Sequence, residues 1–212
     1  MMPPATMSDR TGARPFFAIL AELLADEVCH EEGDVAPVSH AWFLFELLIK
    51  SVVCVEPSRI LNALPLGQAS TVAAPRLELG DEDSNRFVAC LRRIAEGTAK
   101  VCASQEKSNL LNAQNVSREF SVFVKQLFSV CDQQIGHVVL TTYLGVKVQY
   151  QFQLEFLQTV ADHEHSLALQ LPAVAIDAVI DAIRNPKDAE HVPTAAKFLR
   201  QILSKHCYDA TN

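Results

Sequence analysis

The sequence predicts an all-α protein, an α-solenoid of armadillo/HEAT-like helical pairs. Three observations lead there. Apolar residues recur with the 3.6-residue period of helices along most of the chain. No stretch alternates convincingly as a strand, although VVLTTYLGVKVQYQF (138–152) is β-branched enough to compete with the helical assignment. Two helices and their turn occupy about forty residues, the length found in HEAT and armadillo arrays. No sequence motif repeats, so the solenoid assignment rests on helix length.

Composition sets the outer limits. Of 212 residues, 49% are hydrophobic and 20% charged, which fits a folded globular chain. A net charge of −7 argues against a nucleic-acid partner, because phosphate binding needs clustered Lys and Arg. The six cysteines, at 29, 54, 90, 102, 131 and 207, include no CxxC pair and lie on or beside apolar helical stretches. They read as buried, reduced thiols of a cytoplasmic protein rather than a disulfide framework, and the start carries no secretory leader.

Taken in order, residues 1–14 are polar and Pro-containing and predict a disordered tail. A helical-repeat domain follows over 15–212. Pro15 suits a first helical residue, with Phe16, Leu20, Leu23 and Leu24 on one face. Ser39 is a candidate N-cap for a helix over 40–55 that is apolar on nearly all sides. Its window AWFLFELLIKSVVCV approaches membrane-span length. Glu46 and Lys50 in its middle, at an i,i+4 spacing, fit a water-soluble helix and exclude membrane insertion.

Periodicity disappears across 57–80, where three prolines and two glycines predict a long loop. Acidic DEDSN then suits a helix N-terminus, with Phe87, Leu91, Ile94 and Thr98 on one face toward Cys102. A longer helix over 106–131 turns Leu111, Phe120, Phe123, Val124, Leu127 and Phe128 inward. Further helices are predicted over 134–145 (Ile135, Val138, Val139, Tyr143) and 148–163 (Leu154, Phe156, Leu157, Val160, Ala161). The last two cover 173–184 and the stretch from Pro193, with Leu199, Ile202 and Leu203 inward.

The most chemically suggestive feature is the quartet Asp162-His163-Glu164-His165. Zinc motifs on a helix place two His at i,i+4, whereas His163 and His165 stand at i,i+2, about 200° apart on a helix. Both reach one ion only in extended chain, and no other His or Cys motif offers a partner. The competing assignment places the two rings at a helix C-terminus, bonding its last carbonyls. There is no G-x-S-x-G, no catalytic cysteine motif and no glycine-rich phosphate loop. His206-Cys207 reads as a chance pair. Lys100, Lys107 and Arg118 read as solvated charges. Trp42, with Phe43 and Phe45, reads as core packing in preference to a binding groove.

Three stretches resemble the dedicator-of-cytokinesis (DOCK) family of exchange factors. HAWFLFELLIKSV (40–52) is similar to its aromatic helix, through Trp42, Phe43, Phe45, Glu46, Lys50 and Ser51. LEFLQTVADHEHSLALQLP (154–172) is similar to its Asn/Ser-His-Glu-His segment, through Phe156, Leu157, His163, Glu164, His165, Leu171 and Pro172. FVKQLFSVCDQQIGHVVLTTYL (123–144) resembles the intervening helix pair, whose linker begins at Asp132. Leu44, Val52, Asp162, Gln134 and Ile135 depart from the pattern, and the closing Asp-Pro-Arg-Tyr element is missing.

The resemblance implies a helical scaffold that in the family lies between a C2-like lipid-binding domain and the C-terminal exchange domain. It implies no catalytic residue and no cofactor here, since exchange activity belongs to that C-terminal domain. A Rho-family small GTPase would be reached only through a larger protein, and protein partners are expected. An uncapped solenoid exposes apolar terminal faces, so self-association is a further expectation. Two other readings remain: an independent helical-repeat interaction module, and a metal-dependent hydrolase centred on His163 and His165.

Overall fold

The computed structural model describes residues 15–28, 41–54, 81–105, 108–131, 133–146, 148, 150–161, 173–184 and 192–209. These form eight helices: α1 (Phe16–Val28), α2 (Ala41–Cys54), α3 (Asp81–Gln105), α4 (Leu110–Val130), α5 (Gln133–Gly145), α6 (Tyr150–Ala161), α7 (Ala173–Arg184) and α8 (Val192–Asp209). Among the described residues there is no β-sheet. VVLTTYLGVKVQYQF divides between α5 and α6. The predicted tail 1–14, the cap Ser39 and the loop 57–80 lie outside the described residues.

Local chemistry sets the helix ends. The Pro15 carbonyl accepts from Ala18 N–H at 3.0 Å, which opens α1. The fourth helix begins at Leu110 rather than near 106 because Asn109 caps it, Oδ1 accepting from Asn112 N–H at 3.2 Å. Asn109 N–H donates to the Gln105 carbonyl at 2.8 Å, and the Asn112 side-chain amide donates to Gln105 Oε1 at 2.6 Å. One short polar network thus ends α3 and starts α4. Between α5 and α6, the buried Gln153 amide donates to the Leu144 and Val146 carbonyls at 3.5 and 3.4 Å, satisfying groups the helix end leaves open.

The helices stack in two rows. α1 packs on α3, α3 on α5 and α5 on α7; α2 packs on α4, α4 on α6 and α6 on α8. The rows are joined by α1 with α2, α3 with α4, and α7 with α8, and diagonally by α4 with α5 and α6 with α7. From α1 to α6 each helix therefore leans mainly on its second neighbour in sequence, the arrangement of a helical-pair solenoid, while α7 and α8 lean mainly on each other.

Different side chains hold the two rows. α1 meets α3 through Phe17, Ala18, Ala21, Leu24 and Ala25, facing Phe87, Leu91, Ile94, Ala95 and Ala99. A Cβ on Gly97 would lie 2.7 Å from Val28 Cγ1 and 2.9 Å from the Val28 carbonyl, so the backbones approach as closely as glycine allows. The Phe17 and Phe87 rings meet edge-on at 5.2 Å. In the other row the contacts are aromatic. Phe120 of α4 lies 5.5 Å from Phe45 of α2, 5.2 Å from Tyr143 of α5 and 5.9 Å from Phe156 of α6. Phe45 also stacks on Phe123 at 4.9 Å, and Tyr143 on Phe156 at 4.3 Å. The Tyr143 hydroxyl is paired with Ser117 Oγ at 2.9 Å.

Most inward residues are where the periodicity puts them: Phe87, Leu91, Ile94, Thr98, Phe120, Phe123, Val124, Leu127, Phe128, Leu154, Phe156, Leu157 and Val160 are buried. Three assignments are corrected. In α1 the inner face is Phe17, Ala21, Leu24 and Ala25, while Phe16 and Leu23 are exposed. This helix is apolar on both sides, and the close approach at Gly97 selects its small-residue face. Leu111 is 69% exposed, because it lies in the first turn of α4 on the side away from Phe120. Cys54 is exposed at the end of α2, whereas Cys90, Cys102 and Cys131 are buried and in no disulfide, as expected.

Replacing Phe120→Ala removes the ring shared by α2, α5 and α6 and is expected to cost about 3–5 kcal/mol, read from urea midpoints. Gly97→Ala forces α1 away from α3 and is expected to cost about 1–3 kcal/mol in the same assay.

Candidate functional site

The residues singled out in the sequence separate into two groups. Phe45, Ser51, Phe156 and Leu157 are buried: Phe45 and Phe156 belong to the aromatic stack, and Ser51 Oγ donates to the Leu48 carbonyl at 2.7 Å. These four positions build the interior. Trp42 and Phe43 do not. They are 51% and 50% exposed, against the expectation of core packing, and their rings meet edge-on at 5.9 Å on the surface. The reason is positional. α2 lies in the first described pair of its row and is packed by α4 on one side and α1 on another.

Asp132, His163, Glu164, His165, Leu171 and Pro172 lie outside the described residues, as does Lys107. The zinc and helix-end readings of the quartet therefore keep the standing the sequence gives them. Among the described residues no cluster of three or more His, Cys, Asp or Glu side chains is arranged to hold a metal ion. Nor, among them, is any helix long and apolar enough to cross a membrane.

What the geometry does assemble is an apolar end face. On α1, Phe16, Ile19 and Leu23 follow at helical spacing and are exposed, Leu23 to 62%. They lie opposite Phe17, Ala21 and Leu24, which face α3. On α2, Trp42, Phe43 and Val53 are exposed opposite Phe45, Leu48 and Val52, which face α4. Since α3 and α4 form the next layer, both exposed stripes look outward from the same end of the stack. Periodicity could not identify this face, because α1 and α2 are apolar on both sides and the tertiary arrangement alone decides which side is covered.

Charges on this end include an exposed acid, Glu27 of α1, and two ion pairs. Glu46 and Lys50 pair at 2.6 Å, i to i+4 with the acid first. Asp26 is held by Arg93 of α3 at 2.7 Å. Elsewhere Lys100 pairs with Glu96 at 2.8 Å and Arg118 with Glu119 at 3.2 Å, both on exposed surface as expected of solvated charges. The exposed chemistry of this end is thus mainly apolar.

The fold and this face define an all-α helical-repeat protein with a terminal hydrophobic surface. A family model described as DOCK6-11, TPR domain matches residues 15–161, and the chain belongs to that family. The matched region takes in α1 to α6. The chain is similar to dedicator of cytokinesis protein 9 of Homo sapiens, 24% identical over 145 residues, and to its Mus musculus counterpart, 23% identical over 145 residues. In each case the similarity covers 64% of this chain and 6% of the relative. The chain therefore spans a small fraction of the relatives' length. No solved structure matches it.

Trp42→Ala and Leu23→Ala should leave stability within about 0.5 kcal/mol of the parent, as surface changes do. Phe45→Ala, three residues from Trp42, should cost about 3–5 kcal/mol. Chemical denaturation of the three variants distinguishes the face from the core.

Proposed function

We propose that this chain is a non-catalytic helical scaffold segment of a DOCK-type exchange factor, corresponding to the central region ahead of the exchange domain. Its role is in Rho-family small-GTPase signalling in the cytoplasm. The observation that carries this reading is the family match over α1 to α6, which makes the helical stack itself the related part. The described interior supports it: the buried polar side chains Ser51, Ser117 and Gln153 bond respectively to the Leu48 carbonyl, the Tyr143 hydroxyl of α5 and the turn after α5.

In this reading the GTPase is reached through a larger protein, and the segment contributes by holding protein partners. The α1–α2 end face is the docking surface. Its exposed aromatic pair equally favours a second reading, an independent helical-repeat interaction module, and an adjoining exchange-domain coding region would decide for the scaffold. The chain binds no nucleic acid, inserts in no membrane and uses no cofactor. In this reading the quartet at 162–165 is not a metal centre.

The reading is tested with purified chain and Rho, Rac or Cdc42 loaded with a fluorescent nucleotide. Nucleotide release is expected at the intrinsic rate of each GTPase. Acceleration by the chain alone would overturn the non-catalytic assignment, and stoichiometric zinc in elemental analysis would overturn the absence of a metal centre.

A further inference from the structure

We propose that residues 57–77 of this chain dock on the α1–α2 end face, so that the chain itself supplies the occupant of that face. The proposal rests on reading the face as the docking surface, and protein partners then reach it in competition with this segment. Residues 57–77 lie outside the described residues, and the helices on either side of them are α2 and α3.

The first support is the length of this connection and where it ends. α2 ends at Cys54 and α3 begins at Asp81. Helix–helix connections commonly take about 2–8 residues. Residues 55–80 can reach roughly 85 Å at ~3.3 Å per residue, whereas α1 is only about 20 Å long. The connection leaves α2 beside exposed Val53, a member of the face, and rejoins at α3, the helix on which α1 lies. It starts on the face and ends one layer beneath it, with length to spare.

The second support is composition. Between Pro57 and Leu77 stand Ile60, Leu61, Leu64, Leu66 and Val72, the apolar side chains that Phe16, Leu23, Trp42 and Phe43 need opposite them. Residues 1–14 contain no Leu, Ile, Val or Phe. Residues 162–172 and 185–191 follow α6 and α7, away from this end of the stack.

The third support is charge. α1 carries Glu22, Asp26 and Glu27 and no base; Asp26 is held by Arg93, and Glu27 is exposed beside Leu23. Asp26 and Glu27 stand near the C-terminal end of α1, where the helix dipole already favours a cation. Glu46 and Lys50 of α2 pair at 2.6 Å, so the face is negative on balance. From Pro57 to Leu77 the charged side chains are Arg59 and Arg76, both positive. Residues 29–40, by contrast, hold Glu31, Glu32 and Asp34 with no Lys or Arg, and would set like charges against α1.

Trp42 is the single tryptophan and lies on the face, so acrylamide quenching of its emission in the full 212-residue chain reads this contact. In a variant combining Ile60→Ser, Leu61→Ser, Leu64→Ser and Leu66→Ser, the quenching constant should rise about twofold or more, because the ring loses its apolar cover. Arg59→Glu with Arg76→Glu should raise it too, and more at low salt, since like charges then meet Glu27. Val122→Ser, on the exposed side of α4, should leave it unchanged. A synthetic peptide of residues 57–77, at millimolar concentration, should return the serine variant to the parent value. It should not alter the parent, whose tethered segment acts at an effective concentration on the order of millimolar.

Circular dichroism and the unfolding midpoint of each variant establish that it is folded. A folded serine variant that is quenched no more than the parent overturns the proposal, and so does a peptide that fails to protect it. Trp42 protection that is lost when the parent is diluted gives the face to a second copy and overturns it as well. In each of these cases the nucleotide-release assay still decides the scaffold reading independently.

Discussion

The structure depends on one shared aromatic side chain. Phe120 lies in the middle of α4 and touches Phe45, Phe123, Tyr143 and Phe156, so one ring joins α2, α4, α5 and α6. In a helical stack each layer ordinarily contacts only its neighbours, and stability is close to a sum of layer terms. Here three successive layers meet at a single cluster, which couples them. The Tyr143 hydroxyl would be costly in such a place, and its bond to Ser117 removes the cost. α4 is therefore the helix around which the others are placed.

The two rows solve the packing problem by different means. In the α1, α3 row, alanines and Gly97 let backbones come close, and contact area comes from proximity. In the α2, α4, α6 row, aromatic rings make the contacts. The pairs also differ in length: α3 and α4 run 25 and 21 residues, α5 and α6 only 13 and 12. The repeat is thus a repeat of packing direction without one of sequence or size, which is why no motif recurs along the chain.

This construction bears on function. Described polar groups serve in caps, turns, surface pairs and one buried bond between α4 and α5, and the end formed by α1 and α2 exposes several large apolar side chains. The family membership gives the fold a setting, and Phe16, Leu23, Trp42 and Phe43 form its exposed apolar end.

The helical class, the bounds of most elements and the inward faces of α3, α4 and α6 were legible in the sequence. Phe87, Leu91 and Ile94 repeat at helical spacing against a charged opposite side, so one phase alone buries apolar surface. α7 falls where the periodicity put it, at 173–184. The family was legible too, chiefly through the aromatic helix at 40–52 and the segment at 154–172. What the sequence alone could not decide was the phase of helices with two apolar sides. Phe16 and Phe17 are the same residue type, one exposed and one buried, and the packing of Phe87 of α3 against Phe17 distinguishes them. Trp42 and Phe45 differ in fate for the same reason: burial belongs to the neighbouring layer, not to the residue. Local periodicity determined that these helices form, and tertiary stacking decided which of their surfaces became core and which was left as a site.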